Sequence, residues 1–511
     1  MKKKILTAET RRRGGFFSFN NLRMLTSAVY VSALCFGAFA AGVNAQVPIP
    51  TPGAPRSVSI PAVKEIKLKN GLTVAVVERK GVPLVTVQLL VRNGADSEDK
   101  EKAGLADLTA SMLTKGTKTR SATQIAEEIE FLGGSIFSSA GWLNSSVGMS
   151  ITSDKFDPAM AILADVSLNP SFTKDELELL KSQTLDELTA AMSQPGFLAS
   201  YVASSYSYGE HPTNGTPASI EAISPADVSG FYAKNYAPDD AVVIFVGDIS
   251  PEKAAASAEK YFGGWAKPGR GSGQLFGDAT DSFTPSKPLV NRILVVDLPN
   301  SGQASVNFLK PIRGVGRKNK EYYAASVLNS LLGGGYSSRL NQEIRIKRGL
   351  SYGAGSSFGW RGGAANFGAR TQTKNESAAE VAELILAEII RLAETVPTDT
   401  ELLPRKSVLT GGFGRNIETN QGLAGALADL YSFGIPASEL NAYMRNVNAV
   451  QSAELKSFAA ANLYGGDLVI VGDYNVFKDD LAKRFPNMKI DVVKATDLDI
   501  ESETLRKSDT Q

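Results

Sequence analysis

The 511-residue chain is long enough for two or more domains with cores of their own, and 43% hydrophobic and 21% charged residues are usual for a soluble globular protein. Its formal charge of +1 is skewed by residues 1–45, which hold seven basic side chains against Glu9; without them the 54 basic and 53 acidic residues become 47 and 52, near −5, which speaks against nucleic acid as a partner. Cys35 and His211 are each the sole residue of their kind, so a Cys-built metal site, a disulfide and a zinc site with two or more His ligands are excluded within the chain.

A basic stretch up to Arg23, the apolar run "MLTSAVYVSALCFGAFAAG" and a small-residue exit at Val43-Asn44-Ala45 read as an export signal cut after Ala45. The expected location is therefore periplasmic or secreted, with no stable membrane anchor, and Cys35 leaves with the signal. A Pro-rich linker follows over 46–59. "LVTVQLLVRNGADSED" (84–99) alternates as a strand and leads into "AGLADLTASMLTKGT" (103–117), a helix with a firm apolar frame. The positions inside that frame, Asp107, Ala110 and Ser111, carry almost no chemistry. A long helix over Lys174–Met192 carries Glu187, and His211 falls in a turn-rich loop, "YSYGEHPTNGTP", where it reads as structural.

The Gly/Pro/Ser-rich segment 271–287 reads as a connector. Beyond it, "QASVNFLKPIRGVGRK" (303–318) is again a strand running into a helix, which ends at "GGGY" (333–336). Gly349 separates Arg345 from Tyr352, which puts Arg345 in the last turn of a helix and Tyr352 on the next strand. By spacing alone Arg345 and Arg348 read as favourable cations at a helix C-terminus. "SSFGWRGGAANFGAR" (356–370) reads as one Gly-interrupted strand, either lining a binding face, or pairing with extended peptide, or packed in the core. A helix over Glu376–Thr395 and a tail over 491–511 complete the chain.

The two strand–helix units lie roughly 219 residues apart, and "FYAKNYAPDDAVVIFVGDIS" (231–250) is matched by "FAAANLYGGDLVIVGDYN" (458–475), with Val-Gly-Asp at 246–248 and again at 471–473. The expected fold is therefore α+β: two similar duplicated domains, 60–270 and 288–490, each a mainly antiparallel sheet with packed helices.

"NGLTVAVVERKGVPLVTVQLLVRNGADSED", "GLADLTASMLTKGT" and "NYAPDDAVVIFVGD" together resemble the M16 metallopeptidases, the pitrilysin and mitochondrial-processing-peptidase-like proteins, in the short two-domain form of subfamily M16B. Active members carry H-x-x-E-H, with two His ligating zinc and the Glu activating water. Laid on this chain, the resemblance puts the first His at Asp107, the Glu at Ala110, the second His at Ser111 and a third ligand at Glu187. It implies that the chain binds no metal cofactor itself. It further implies that Arg345 and Tyr352 orient substrate and stabilise the oxyanion, and that Gly333, Gly334, Gly335 and Tyr336 contact substrate. The implied protein is a zinc-less subunit of a heterodimeric metalloendopeptidase acting on unfolded peptides, with zinc on an H-x-x-E-H-bearing partner. The alternative it leaves open is a structural or chaperone-like pseudoenzyme. As an enzyme, the chain is not a zinc peptidase on its own.

Overall fold

The computed structural model describes residue 60 and residues 62–267 and 290–507. The signal segment with Cys35, the Pro-rich linker over 46–59 and the 271–287 connector lie outside the described residues.

Two six-stranded sheets account for the architecture. The first contains β1 (Lys64–Lys67), β2 (Thr73–Glu78), β3 (Leu84–Val91), β4 (Ser135–Ala140), β5 (Ser145–Thr152) and β6 (Ala241–Gly247), in the order β1-β2-β6-β3-β5-β4. The second contains β7 (Val290–Asp297), β8 (Ala304–Arg313), β9 (Ala354–Trp360), β10 (Ala364–Thr373), β11 (Gly466–Gly472) and β12 (Ile490–Lys494), in the order β12-β7-β11-β8-β10-β9. Five strands repeat one plan. β2 runs parallel to β6 as β7 does to β11, and antiparallel pairs complete each series through β3-β5-β4 and β8-β10-β9. The sixth strand breaks the repeat: β1 is antiparallel to β2, whereas β12 is parallel to β7. The α+β duplication expected from the sequence is thus the observed fold.

The central strands are buried on both faces, as their unbroken apolar runs require: every residue of β6 and of β11 is buried. Six of the helices position the candidate site or close the two cores: α1 (Leu105–Met112), α2 (Lys174–Met192), α3 (Pro195–Tyr206), α4 (Glu321–Leu332), α5 (Ala378–Glu394) and α6 (Asn420–Ser432). One face of each sheet packs on helices of its own half, with α1 against the first sheet and α4 and α5 against the second. The opposite faces are covered by exchange. Leu423, Leu427 and Leu430 of α6, from the second half, lie on Ala75, Leu90, Val242 and Ile244 of the first sheet. Leu198, Ala199 and Val202 of α3, from the first half, lie on Leu294, Leu309, Val469 and Val471 of the second sheet. Polar contacts follow the same seams: Asn420 donates to the Leu84 carbonyl at 3.0 Å and Tyr208 Oη–H to the Phe367 carbonyl at 2.9 Å.

Because α6 closes a core that its own half does not contain, Leu427→Ala, at a fully buried position, is expected to cost about 2–5 kcal/mol. Both halves should lose stability in a single denaturation transition; two separated transitions, with only one shifted, would refute the coupling.

The segment from residue 491, whose order the sequence leaves open, is folded as far as residue 507: Ile490–Lys494 forms β12, and Leu498, Ile500 and Leu505 are buried beside α3. One expectation is corrected. The segment read as one interrupted strand is a hairpin, turning at Arg361-Gly362-Gly363 between β9 and β10. Its aromatics serve the core, with Phe367 fully buried and Phe358 and Trp360 packed against the same cluster. No helix among the described residues is long and apolar enough to cross a membrane.

Candidate functional site

Helix α1 starts abruptly. Gly104 precedes it at φ +91°, a left-handed conformation in a crowded spot, where a Cβ would come 2.8 Å from Ile220 Cδ1. The free N–H groups of its first turn are met by Glu98, whose carboxylate accepts from Gly104 N–H at 2.8 Å and Ala106 N–H at 2.6 Å. The Glu98 side chain is 0% exposed, and His211 Nδ1 stands 3.4 Å from it. The His211 ring in turn leans on Trp142, with centroids 5.1 Å apart. Burial pushes the Glu98 carboxyl up to about 8, against the pull of the two backbone N–H groups; Asp107 and Asp96 push it the same way as burial.

This shift has a sign that can be measured. A native carboxyl that holds its proton to about pH 8, against 4.5 when unperturbed, binds more proton than the unfolded chain in between. Stability therefore falls as pH rises through that window. Urea midpoints at pH 6 and pH 9 should drop more for the natural chain than for Glu98→Gln, which cannot ionise. An equal drop in both would show that Glu98 is not the titrating group.

One turn into α1, Asp107 faces Glu187 on α2. Burial raises the Asp107 carboxyl, a backbone hydrogen bond from Ala140 lowers it, and the Glu187 charge raises it again. Ala110 is 0% exposed and contributes only a methyl group, and Ser111 is half-buried beside it. The four positions aligned with the zinc motif thus share one locality, but the donor set is two carboxylates and a hydroxyl. That set does not fit zinc, which takes imidazole and thiolate nitrogen and sulfur alongside carboxylate. Among the described residues no group of three or more His, Cys, Asp or Glu is arranged to hold a metal ion.

In the second half, α4 ends at Gly333. A Cβ on Gly333 would fall 2.1 Å from Ser356 N, and one on Gly334 would fall 2.5 Å from Ser330 Cα, so packing alone demands both glycines. Gly335 has open space around it. Next comes a π-helical turn, Asn341–Ile346, closed by Lys347 N–H donating to the Gln342 carbonyl at 3.0 Å. Arg345 sits in this wide turn, not in the α-helix its spacing suggested. Its guanidinium lies 4.9 Å from the centre of the Tyr336 ring, itself 64% exposed. The structure therefore brings together Arg345 and Tyr336, two residues singled out separately by sequence.

Gly349, at φ +66°, reverses the chain, and Tyr352 follows in a bend two residues before β9, not on the strand. Tyr352 is 90% exposed and has no hydrogen bond among the described residues. It borders a cavity of about 580 Å³ shared with Gly196, Ser305, Asn307, Arg370 and Gln372. Sequence patterns give no sign of the residue that holds this corner together. Asn341, buried in the π turn, donates to the Gly335 carbonyl at 2.9 Å and the Ala354 carbonyl at 2.7 Å, and accepts from Ala354 N–H at 3.1 Å. One amide thereby ties the glycine loop, the Arg345 turn and the start of β9 into a single unit.

Comparison with known proteins finds matches to two family models. Residues 73–211 match the family described as Insulinase (Peptidase family M16), and residues 222–408 match the Peptidase M16 inactive domain. An uncharacterized zinc protease of Rickettsia bellii is 28% identical over 295 residues, 57% of this chain and 68% of the relative. One of Rickettsia felis is 27% identical over 348 residues, 67% of this chain and 81% of the relative. Among solved structures, a peptidase M16 inactive domain from Pseudomonas fluorescens is 27% identical with a TM-score of 0.72, covering 80% of this chain and 98% of that one.

Proposed function

The chain belongs to the M16 peptidase family, and on that footing we propose that it is the zinc-less subunit of a two-subunit M16 metalloendopeptidase. A homologous partner with intact H-x-x-E-H would hold the zinc and the base. This chain would close the substrate space around unfolded peptides and contribute Arg345 and Tyr352. The observation that carries the reading is the contrast between the two halves. Where zinc and base belong there stand Asp107, Ala110 and Ser111, whereas Tyr352 is 90% exposed with its phenol unspent.

The roles of this chain's residues follow from their chemistry. Attack on an amide carbonyl places negative charge on its oxygen, and a guanidinium and a phenolic O–H are preorganised donors for that charge. Tyr336 holds the Arg345 fork by its π face, which leaves the N–H edge free to donate. Gly334, Gly335 and Tyr336 form the rim from which substrate would be touched, Gly333 being buried beneath it against β9, and Asn341 keeps rim and donors in register. An export signal, as read in residues 1–45, would carry the pair outside the cytoplasm, and the acid excess of a chain cut after Ala45 speaks against nucleic acid as a partner.

One observation favours the alternative of a structural or chaperone-like subunit: Arg345 already has a partner in Tyr336, as a relic retained for packing would. Mixing separates the two. The zinc-bearing homologue from the same cell is assayed on an unstructured peptide with and without this chain. Activity that rises on mixing supports the enzyme-subunit reading, and equal kcat/KM in both leaves the chain a scaffold.

A further inference from the structure

Helix α3 covers the β7, β8 and β11 part of the second sheet and stops short of its β10-β9 end. Along that uncovered end run two cavities, the one of about 580 Å³ beside Tyr352 and another of about 360 Å³ that reaches Trp142 and His211. Asn307 and Arg370 line both, so the two form one groove with Arg370 at its middle.

The floor of the groove is bare for no reason internal to the fold. Arg370 is paired with Gly355 on β9 and Asn307 on β8; Gly368 stands opposite Ser357, and Gly359 opposite Asn366. None of the three glycines has a left-handed φ, and a methyl group on Gly355, Gly359 or Gly368 would find its nearest neighbour at 3.5, 3.5 or 3.4 Å, ordinary contact. Glycine weakens a strand, and where neither turn nor crowding asks for it, it leaves room for another backbone to approach.

The charge of the groove is equally specific. Arg361, at the Trp142 end, is neutralised by Glu210, to which its Nε and Nη2 donate at 2.8 and 2.6 Å. Arg370 has no ion pair and no hydrogen bond among the described residues, and no acidic side chain lines the larger cavity. An exposed cation beside glycines and small hydroxyls, with no acceptor supplied by the described residues, is suited to receive an anion from outside.

We propose that this groove takes an extended peptide and that Arg370 selects one bearing a carboxylate, which makes Arg370 a specificity-determining residue. The substrate role rests on the function proposed above, whereas the binding itself requires only this chain. The test is fluorescence anisotropy with the mature chain alone, at low salt. The probes are three labelled, unstructured peptides of one sequence: one with a central Glu and an amidated C-terminus, one with Gln and a free C-terminus, and one with Gln and an amide. One or both carboxylate peptides should bind about five-fold more tightly than the uncharged one, the yield of a single accessible ion pair. Arg370→Gln should erase the preference, bringing the three peptides to one affinity, and Arg370→Lys should keep part of it.

A preference carried by Glu identifies an internal acidic residue, and one carried by the free terminus identifies a chain end; either supports the assignment. Equal affinity for all three peptides overturns it, as does a charge preference that survives Arg370→Gln. Failure of the partner-mixing assay alongside a positive result here would remove the subunit role and leave the binding site standing.

Discussion

Arg345→Ala combined with Tyr352→Phe should lower kcat of the mixed assembly by about 10²–10³-fold, the usual cost of removing preorganised oxyanion donors. Neither change touches a fully buried side chain: Tyr352 is 90% exposed, and Arg345 is half-buried above an exposed ring. Thermal stability of the chain should therefore stay nearly constant. KM should move far less than kcat, because the donors serve charge that develops only on the way to the transition state. The single changes should not add, since two donors to one oxygen act as a unit. An unchanged kcat at unchanged assembly would leave both residues as packing and surface, and with them the subunit reading would fall.

The second large effect is a gain. Asp107→His together with Ser111→His should raise zinc affinity by roughly a hundred-fold or more, measured by competition with a chelating dye. Positions 107 and 111 lie four apart on α1, the spacing that places two imidazoles on one helical face. Glu187 already faces that spot closely enough for its charge to act on Asp107. Three ligands would then converge with the backbone unmoved. Peptide hydrolysis should remain absent, because Ala110 supplies no base. Failure to gain affinity would mean that Glu187 does not reach the position its helix offers.

Long periodic elements are legible in the sequence, and relations between distant atoms are not. The helix read over Lys174–Met192 has those limits in the structure, and the one read over Glu376–Thr395 differs by one or two residues at each end, because an apolar stripe repeating every three to four residues is local information. The hairpin at 354–373 reads as a single strand because Gly362 and Gly363 look alike as a break within a strand and as a turn between two strands. The apolar runs 492–493, 498 and 500 are too short to signal a strand and a buried strap by themselves. Glu98 gives no signal because its partners are backbone N–H groups of Gly104 and Ala106, which no side-chain pattern reveals. Asn341 is hidden for the same reason. Periodicity shows that α3 and α6 each have an apolar side, but not that each would spend it on the other half's sheet.

That exchange sets a schedule for the newly made chain. By the time β6 has been synthesised, every strand of the first sheet exists, yet the face of β2, β6 and β3 meant for α6 has nothing to cover it. Its cover lies roughly 170 residues downstream. At typical elongation rates of ~5–20 residues per second, this leaves an apolar sheet face bare for about 10 to 35 seconds. A holdase has that interval in which to act, and a ribosome stalled inside the second half releases a product that is sticky by construction.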